Sequence, residues 1–175
     1  MTGRRGFTLL ELVVVMTIIA VMAGGVAPRF ADFAARREMA ASAHEAAALL
    51  GFAREWARAH GTAVLVQWQE DGARVTAERD PDGAPGEFTP LQAGGEALLQ
   101  LPAGVQIAAL QEDGQPVELP CEVVFYPDGR AADLLLLLED EAGRHQWVEY
   151  LGRYGVARLP EDGEIDEELA DVPLP

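Results

Sequence analysis

A single carboxylate at the start of an apolar stretch is the first feature of this sequence that could do chemistry. From Leu12 to Pro28 there is no charged residue, and Glu11 stands directly before that stretch. If the stretch is a membrane helix, an ionised Glu11 costs a few kcal/mol unless a cation lies beside it. We therefore expect Glu11 to pair with a positively charged group.

The length of this stretch fits a membrane-spanning helix. From Phe7 to Pro28 a helix would rise roughly 33 Å at ~1.5 Å per residue, enough to cross a hydrocarbon core about 30 Å thick. Arg4 and Arg5 precede it, and no acidic residue comes before Glu11. By the positive-inside rule, the N-terminus is expected in the cytoplasm and the rest of the chain outside it.

Three other interpretations of this N-terminus are open. An ordinary secretory signal peptide would be cut near Val26-Ala27. Glu11 within the apolar run and Pro28 just after that position count against it. An uncleaved anchor is the second alternative. A buried helix of a soluble protein is the third, although no equally apolar segment follows to cover it.

Beyond its apolar character, the N-terminus carries a specific motif. Two arginines lead into Gly6-Phe7-Thr8-Leu9-Leu10-Glu11. This pattern resembles the class III leader of type IV pilins and type II secretion pseudopilins. The resemblance implies that a prepilin peptidase cuts between Gly6 and Phe7 and that Phe7 is then methylated. It also implies that Glu11 faces the N-terminal amine of a neighbouring subunit, which is the cation that this carboxylate needs.

Residues able to bind metal or act as nucleophiles are few and scattered. His44, His60 and His145 form no His-x-x-x-His pair. The single Cys121 excludes an internal disulfide. By residue type alone, Cys121 could form a catalytic dyad with His145 or His60. No catalytic motif surrounds it, so we expect a buried cysteine.

Two acidic loops and two arginines complete the search for binding chemistry. The loops are Asp80-Pro81-Asp82-Gly83 and Glu161-Asp162-Gly163-Glu164. Both lack the regular spacing of a calcium-binding loop, so we expect them to be solvated turns. Arg153 and Arg158 lie where some minor pilins bind DNA, but acidic residues follow at once, so nucleic acid is not expected. We expect no enzymatic activity, no metal or other cofactor and no small-molecule substrate.

The elements that would carry these residues begin with a long helix. Gly24-Gly25 and Pro28 predict a kink or loosening, after which the helix resumes from Arg29 to about His60. Gly61 is expected to cap it. An apolar stripe predicts that this second half packs on its own domain, with Leu49, Phe52 and Trp56 beside Met39, Ala43, Ala46, Leu50, Ala53 and Ala57. Asp32 and Arg36 have the spacing of an ion pair.

After the helix, alternating apolar residues and turn signals predict seven or so antiparallel strands. Glu70–Ala73 is expected to join a hairpin, and residues 80–90 are expected to be loop. Strands are expected at Ala63–Gln69, Arg74–Glu78, Leu98–Leu101, Val105–Leu110, Glu122–Tyr126, Asp133–Glu139, His145–Leu151 and Gly155–Leu159, and Val117–Leu119 leads to Pro120. The predicted fold class is α+β, a long helix packed on an antiparallel β-sandwich-like domain.

Charge is distributed unevenly along the 175 residues. Residues 61–175 carry six Arg and 24 acidic residues, a formal charge of −18, whereas residues 1–60 carry +2. An acidic outer domain repels phosphates and anionic lipid headgroups. Residues 161–171 hold seven of the acids and are expected to form a solvated, partly disordered tail.

A second resemblance lies in the C-terminal half. An aromatic-x-Pro-Asp-Gly turn and a closing Gly-x-x-Arg are similar to the H-type minor pseudopilin and the related T-type minor pilin, here in Phe125-Tyr126-Pro127-Asp128-Gly129 and Tyr154-Gly155-Val156-Ala157-Arg158. The resemblance implies a non-enzymatic subunit in the bacterial inner membrane that assembles with other pseudopilins at the tip of a periplasmic pseudopilus. A minor pilin of a type IV pilus is the alternative. The implied division is leader 1–6, transmembrane and assembly helix 7–28, amphipathic helix 29–60, β-domain 61–160 and acidic tail 161–175.

Overall fold

The computed structural model describes residues 7–78, 86–91 and 98–160, with the backbone alone for residues 22–32 and 78. The leader 1–6, the acidic tail 161–175 and the partner Asp32 of the expected pair with Arg36 lie outside this description, as do the two acidic loops. The chain divides into two compact units, residues 1–37 and 38–175, and the division falls within the helix.

One helix, α1, runs from Leu9–His60. Its backbone is helical through Gly24, Gly25 and Pro28, so the helix does not stop and resume at the proline, and the expected kink or loosening stays a prediction. A proline removes a single backbone donor, and the turns on either side keep their own hydrogen bonds. The helix ends as expected at Gly61, whose φ is 66°. The amide of Thr62 donates to the carbonyl of Ala57 at 3.3 Å, which satisfies one carbonyl of the last turn.

In the described residues, ten strands follow the helix, whereas the sequence predicted seven or so. They are β1 Val64–Gln69, β2 Gly72–Glu78, β3 Phe88–Pro90, β4 Leu98–Gln100, β5 Val105–Glu112, β6 Gln115–Val117, β7 Cys121–Phe125, β8 Leu134–Asp140, β9 His145–Leu151 and β10 Val156–Arg158. The β1–β2 hairpin turns on two residues, not four. Strand β3 lies within residues 80–90, which were expected to be loop because of their proline content. Proline is tolerated in an edge strand, and β3 is a short edge strand.

The strands form two antiparallel sheets of five. The first has the order β3-β2-β1-β7, with β4 also pairing with β2, and the second has the order β10-β9-β8-β5-β6. Val66 opposes Val75 in the first sheet, and Leu136 opposes Val148 in the second. This arrangement confirms the predicted α+β fold.

The main core joins the second half of α1 to both sheets. The predicted stripe is buried, since its exposed fractions run from 0 to 9% at Met39, Ala43, Ala46, Leu49, Leu50, Ala53 and Ala57. Phe52 and Trp56 pack partly buried at its margin. Alanine is short, so the helix axis can approach a sheet closely, and Leu50 fills the remaining depth.

Strand β8 is apolar on both faces. Leu134, Leu136 and Leu138 belong to the main core. Leu135 and Leu137 point to the opposite face, where they form a second buried cluster with Trp147. Five consecutive leucines therefore form a strand that is buried on both sides, as the sequence predicted.

Candidate assembly interface

The start of helix α1 is defined by a local cap. The backbone amide of Glu11 donates to the hydroxyl of Thr8 at 3.2 Å, and the amide of Leu12 donates to the Thr8 carbonyl at 3.2 Å. Thr8 is thus the N-cap of the helix. Glu11 lies in the first turn, where a carboxylate interacts favourably with the positive end of the helix dipole.

From this cap onward the helix presents apolar side chains in every direction. The side chains exposed by 42 to 81% are Phe7, Leu9, Leu10, Leu12, Val13, Val14, Val15, Met16, Ile18, Ile19 and Val21. Water-soluble surfaces rarely expose a continuous apolar patch of this kind. The first unit therefore leaves a surface that only lipid or other apolar surfaces can cover.

The one polar side chain beyond Glu11 in this part of the helix is satisfied internally. The hydroxyl of Thr17 donates to the carbonyl of Val13 at 2.8 Å. A hydroxyl bonded one turn back is compatible with an apolar environment. Within the portion of the chain whose side chains are described, no helix combines the length and apolarity required to cross a membrane. The predicted span 7–28 includes side chains outside that portion.

Arg54 of α1 lies against two turns of the β-domain. Its Nε donates to the carbonyl of Gly129 at 3.0 Å. A Cβ built on Gly155 would lie 2.0 Å from the Arg54 guanidinium carbon, and one on Gly129 would lie 2.8 Å from Cδ of Arg58. Both motif glycines have a positive φ, and both lie against arginine side chains that a Cβ would displace.

The first motif also contributes to the contact between the two sheets. Phe125 of β7 and Tyr150 of β9 pack edge to face at 5.6 Å between ring centroids, and both are fully buried. Burial raises the pKa of the Tyr150 hydroxyl; the positive charge of Arg54 opposes this effect, and Glu55 adds to it. That hydroxyl has no hydrogen-bond partner among the described residues.

Arg54 is the residue that the sequence analysis missed. It lies outside the apolar stripe of the helix, yet its side chain is only 20% exposed. The signal lay in the two glycine turns, which are far from it in sequence. Helical periodicity alone does not connect them.

The other predicted chemical residues do not gather into a site. Cys121 is half-buried at the start of β7, and its pKa is raised by burial and by Glu112 and Glu122, which disfavours the thiolate. His60 stacks on Trp56. Within residues 7–78, 86–91 and 98–160, no cluster of three or more metal-ligating side chains occurs.

Arg158, a position weighed for DNA contact, pairs with Glu149 on the neighbouring strand. Its guanidinium is therefore already neutralised within the domain, whereas Arg153 is exposed.

Comparison with known proteins adds two kinds of likeness. Residues 1–27 match the model of the prokaryotic N-terminal methylation motif. Among proteins of curated function, none matches the chain in sequence.

The folded part resembles solved minor pseudopilins. The minor pseudopilin EpsH from the type 2 secretion system of Vibrio cholerae aligns at 17% identity and a TM-score of 0.59, covering 74% of this chain and 99% of EpsH. Escherichia coli GspH aligns at 20% identity and a TM-score of 0.55, covering 75% of this chain and 94% of GspH. The type IV minor pilin FimU of Pseudomonas aeruginosa aligns at 16% identity and a TM-score of 0.50, covering 77% of this chain and 97% of FimU. The chain thus carries a prokaryotic N-terminal methylation motif on the fold shared by these proteins.

Proposed function

We propose that this chain is an H-type minor pseudopilin, a structural and non-enzymatic subunit at the tip of the periplasmic pseudopilus of a type II secretion system. The observation that carries the proposal is a methylation motif leading into an exposed apolar helix, on a domain with the fold of EpsH and GspH. In this role the helix associates with the helices of other pilin-like subunits and with the inner membrane.

Processing creates the charge that Glu11 requires. Cleavage after Gly6 leaves an ammonium group on Phe7, two residues before the helix begins at Leu9. That ammonium lies at the positive end of the helix dipole, which is unfavourable within one subunit. A Glu11 carboxylate from the neighbouring subunit offsets both the ammonium charge and its own desolvation. The expected methylation of Phe7 leaves the charge in place.

The proposed topology follows from the same groups. Before assembly, residues 7–28 anchor the chain in the inner membrane, with Arg4 and Arg5 in the cytoplasm. Residues 61–160 then lie in the periplasm. The prepilin peptidase and the other pseudopilins are the partners of this pathway.

A minor pilin of a type IV pilus is the second candidate, favoured by the likeness to FimU. Its assembly chemistry is the same, since the leader and Glu11 do not differ between the two machines. The lower TM-score, 0.50 against 0.59 for EpsH, ranks it second.

The first experiment is the intact mass of the chain isolated from membranes of cells with and without prepilin peptidase. We expect loss of Met1–Gly6 and gain of one methyl group only when the peptidase is present. A Gly6→Leu variant is the matched control and should keep the full mass in both strains. A mass corresponding to cleavage near Ala27, or no cleavage in either strain, would contradict both the pseudopilin and the pilin assignments.

The machine is distinguished by the phenotype of cells that lack the chain. Loss of export of folded proteins, with surface fibres retained, supports the pseudopilin. Loss of fibres with export retained supports the minor pilin instead.

A further inference from the structure

The outer face of the second sheet carries an apolar cluster that is buried although it points away from the main core. In this cluster, which we name the outer cluster, Leu135 is 8% exposed, Leu137 is 5% exposed and Trp147 is 8% exposed. Leu137 of β8 lies directly opposite Trp147 of β9, and Leu135 lies two residues before Leu137 on the same strand. The outer cluster is therefore one continuous surface.

The apolar side chains of the described residues do not account for this burial. Ala108 and Ala109 are the only described apolar residues that pack against the outer cluster, and both are short and belong to the same sheet. The helix and the first sheet pack on the other face, in the main core. A leucine or tryptophan on an open sheet face keeps much of its surface in contact with water. Further atoms must therefore lie over the outer cluster.

The covered area is local. Gln111, which lies opposite Leu135 on the same face, is only 5% exposed, so the cover extends over a polar side chain as well. At the far end of that face, Gln106 and His145 are exposed. A cover that ends within the face has the size of a short segment of chain.

The chain itself brings such a segment to the edge of the outer cluster. The ladder between β9 and β10 ends at Arg158, and continuing its register by two residues brings Pro160 opposite Trp147. Pro160 is buried, and its carbonyl accepts a hydrogen bond at 3.4 Å from Nε2 of Gln146, the neighbour of Trp147. Residues 161–175 therefore begin beside the outer cluster.

The sequence of this segment contains the side chains that such a cover requires. Ile165, Leu169 and Val172 recur at four- and three-residue spacing, so in a helical arrangement they share one face. The two loops of the domain that lie outside the structural description, residues 79–85 and 92–97, contain no leucine, isoleucine, valine, methionine or aromatic residue. Composition therefore favours the C-terminal segment over these loops.

The segment is also long enough. Its fifteen residues reach up to ~50 Å when extended, and neighbouring strands lie only about 4.8 Å apart. We propose that residues 161–175 fold back across the outer face of the second sheet, with Ile165, Leu169 and Val172 packed on the outer cluster and the seven acidic residues directed toward water. This arrangement replaces the solvated tail expected from charge alone.

Such a cover converts an apolar sheet face into an acidic one. An exposed patch of leucine and tryptophan in the middle of a sheet promotes association with other chains. A layer of carboxylates over the patch repels other acidic domains of the same kind. This role goes beyond the proposed function, and it does not depend on leader cleavage or on which machine the chain serves.

Photo-crosslinking in the full chain, purified in detergent, tests the placement of the segment. Benzoylphenylalanine replaces Leu169 in one variant and Glu167, on the opposite side of a helical arrangement, in the matched control. The chain contains no lysine, so trypsin cuts only after arginine. It separates residues 159–175 from residues 131–144 and 145–153, which hold the outer cluster.

We expect position 169 to crosslink within one chain to residues 131–144 or 145–153. This product should be at least about fivefold more abundant than the same product from position 167, which faces water. Neither substitution touches the main core, so the domain should fold in both variants.

Acrylamide quenching of tryptophan fluorescence measures the cover itself. The combined variant Ile165→Ser, Leu169→Ser and Val172→Ser should raise the quenching constant at least about 1.5-fold, because it removes the apolar side chains over Trp147. The rise should disappear when Trp147→Phe is added, since no other tryptophan belongs to the outer cluster.

The matched control is the combined variant Glu164→Ser, Glu167→Ser and Glu168→Ser, which changes as many residues of the same segment. It should alter the quenching constant by less than about a tenth, because these side chains face water.

Several outcomes would overturn the inference. One is a crosslink from position 169 to a second chain or to residues 59–74 of the first sheet, since another surface would then be the partner of the segment. Another is an equal yield from positions 167 and 169, or no crosslink to the second sheet. Unchanged quenching in the apolar variant would also contradict it, because the cover would then come from elsewhere.

Discussion

The two halves of helix α1 both carry many apolar residues, but these are exposed in the first half and buried in the second. Between Leu9 and Val21 the large apolar side chains are 42 to 81% exposed. Between Met39 and Ala57 the apolar stripe is at most 9% exposed. Hydrophobicity alone therefore does not decide whether a residue is buried within its own chain.

What differs is the arrangement of side chains around the helix. In the first half, branched and long apolar residues surround the axis, so no single sheet could cover them all. In the second half, small alanines occupy one face and charged residues occupy the others, so one face can pack closely on the sheets. The first half therefore leaves its apolar side chains exposed, and the second half packs into the core of the domain.

We expect the largest effect from Glu11→Gln, which should reduce assembly into the filament without changing the stability of the domain. Glu11→Gln removes the carboxylate that would pair with the amine of a neighbouring subunit, which is a loss of about 3–5 kcal/mol for a buried ion pair. Incorporation into the filament fraction should fall by at least about a hundredfold. Quantitative immunoblotting of that fraction measures it, and domain unfolding should be unchanged.

Thr17→Val is the matched control for Glu11→Gln. Its hydroxyl bonds only within the helix, to Val13, so incorporation should stay close to that of the parent chain. Similar losses from both variants would show that any change of polarity in this part of the helix disrupts assembly, and the specific role of Glu11 would be wrong.

A pair of leucine truncations tests the comparison directly. Leu50 is 1% exposed and Leu12 is 52% exposed. Leu50→Ala should lower the free energy of unfolding by about 2–5 kcal/mol, because it leaves a cavity between helix and sheets. Leu12→Ala should leave it unchanged. Urea unfolding of the full chain in detergent, followed by tryptophan fluorescence, measures both, and equal effects would refute the division of the helix.

Two glycines with similar backbone angles test the contact with Arg54. Gly155 has φ of 68° and Gly61 has φ of 66°, but a Cβ on Gly61 would have no atom within 4 Å. Alanine at either position meets about 1–2 kcal/mol of backbone strain. Gly155→Ala should lose a further ~1–3 kcal/mol, because it displaces Arg54 from its hydrogen bond.

The double-mutant cycle with Arg54→Ala isolates that contact. In the Arg54→Ala background, Gly155→Ala should be no more destabilising than Gly61→Ala. An undiminished effect of Gly155→Ala in that background would mean that Arg54 is not the cause.

The smallest expected effect is a pH dependence at the β8–β9 turn. Burial opposes ionisation of Asp140, but the side-chain and backbone hydrogen bonds from Arg144 and the Ala142 amide outweigh it and lower the pKa of that carboxyl. Because the pKa is lower in the folded state, the carboxylate stabilises the fold above its unfolded pKa of about 3.9. This contribution disappears as pH falls through the folded pKa.

Asp140→Asn tests whether the ionised carboxylate stabilises the fold. The variant should be less stable than the parent chain at pH 7, and the difference should narrow below about pH 4. Urea midpoints measured from pH 7 to pH 2.5 provide the check. A difference that stays constant over this range would mean that the ionised carboxylate is not the stabilising group.

Local patterns in the sequence were sufficient for much of the fold. The stripe from Met39 to Ala57 follows from helical spacing, the helix end at Gly61 from its residue type, and burial of β8 on both faces from five consecutive leucines. Each of these depends on neighbours within a few residues. The expected processing at Gly6 and Phe7 rests on the leader motif and stays a prediction.

Other features depend on partners distant in sequence. Strand β3 forms because its backbone pairs with the edge of β2. The continuous helix through Pro28 depends on the hydrogen bonds of the turns on either side. Cys121 was expected to be buried, yet it is half-buried because β7 is bonded to β1 and forms the margin of its sheet.

By itself, the sequence determined the helix, its apolar and one-sided halves, and the motif at its start, because each is written in residue types repeated at fixed local spacing. Only the tertiary structure decided that Arg54 lies between Gly129 and Gly155. The reason is physical: contacts between residues 75 to 101 positions apart arise from how two sheets and a helix pack, and no local periodicity encodes that geometry.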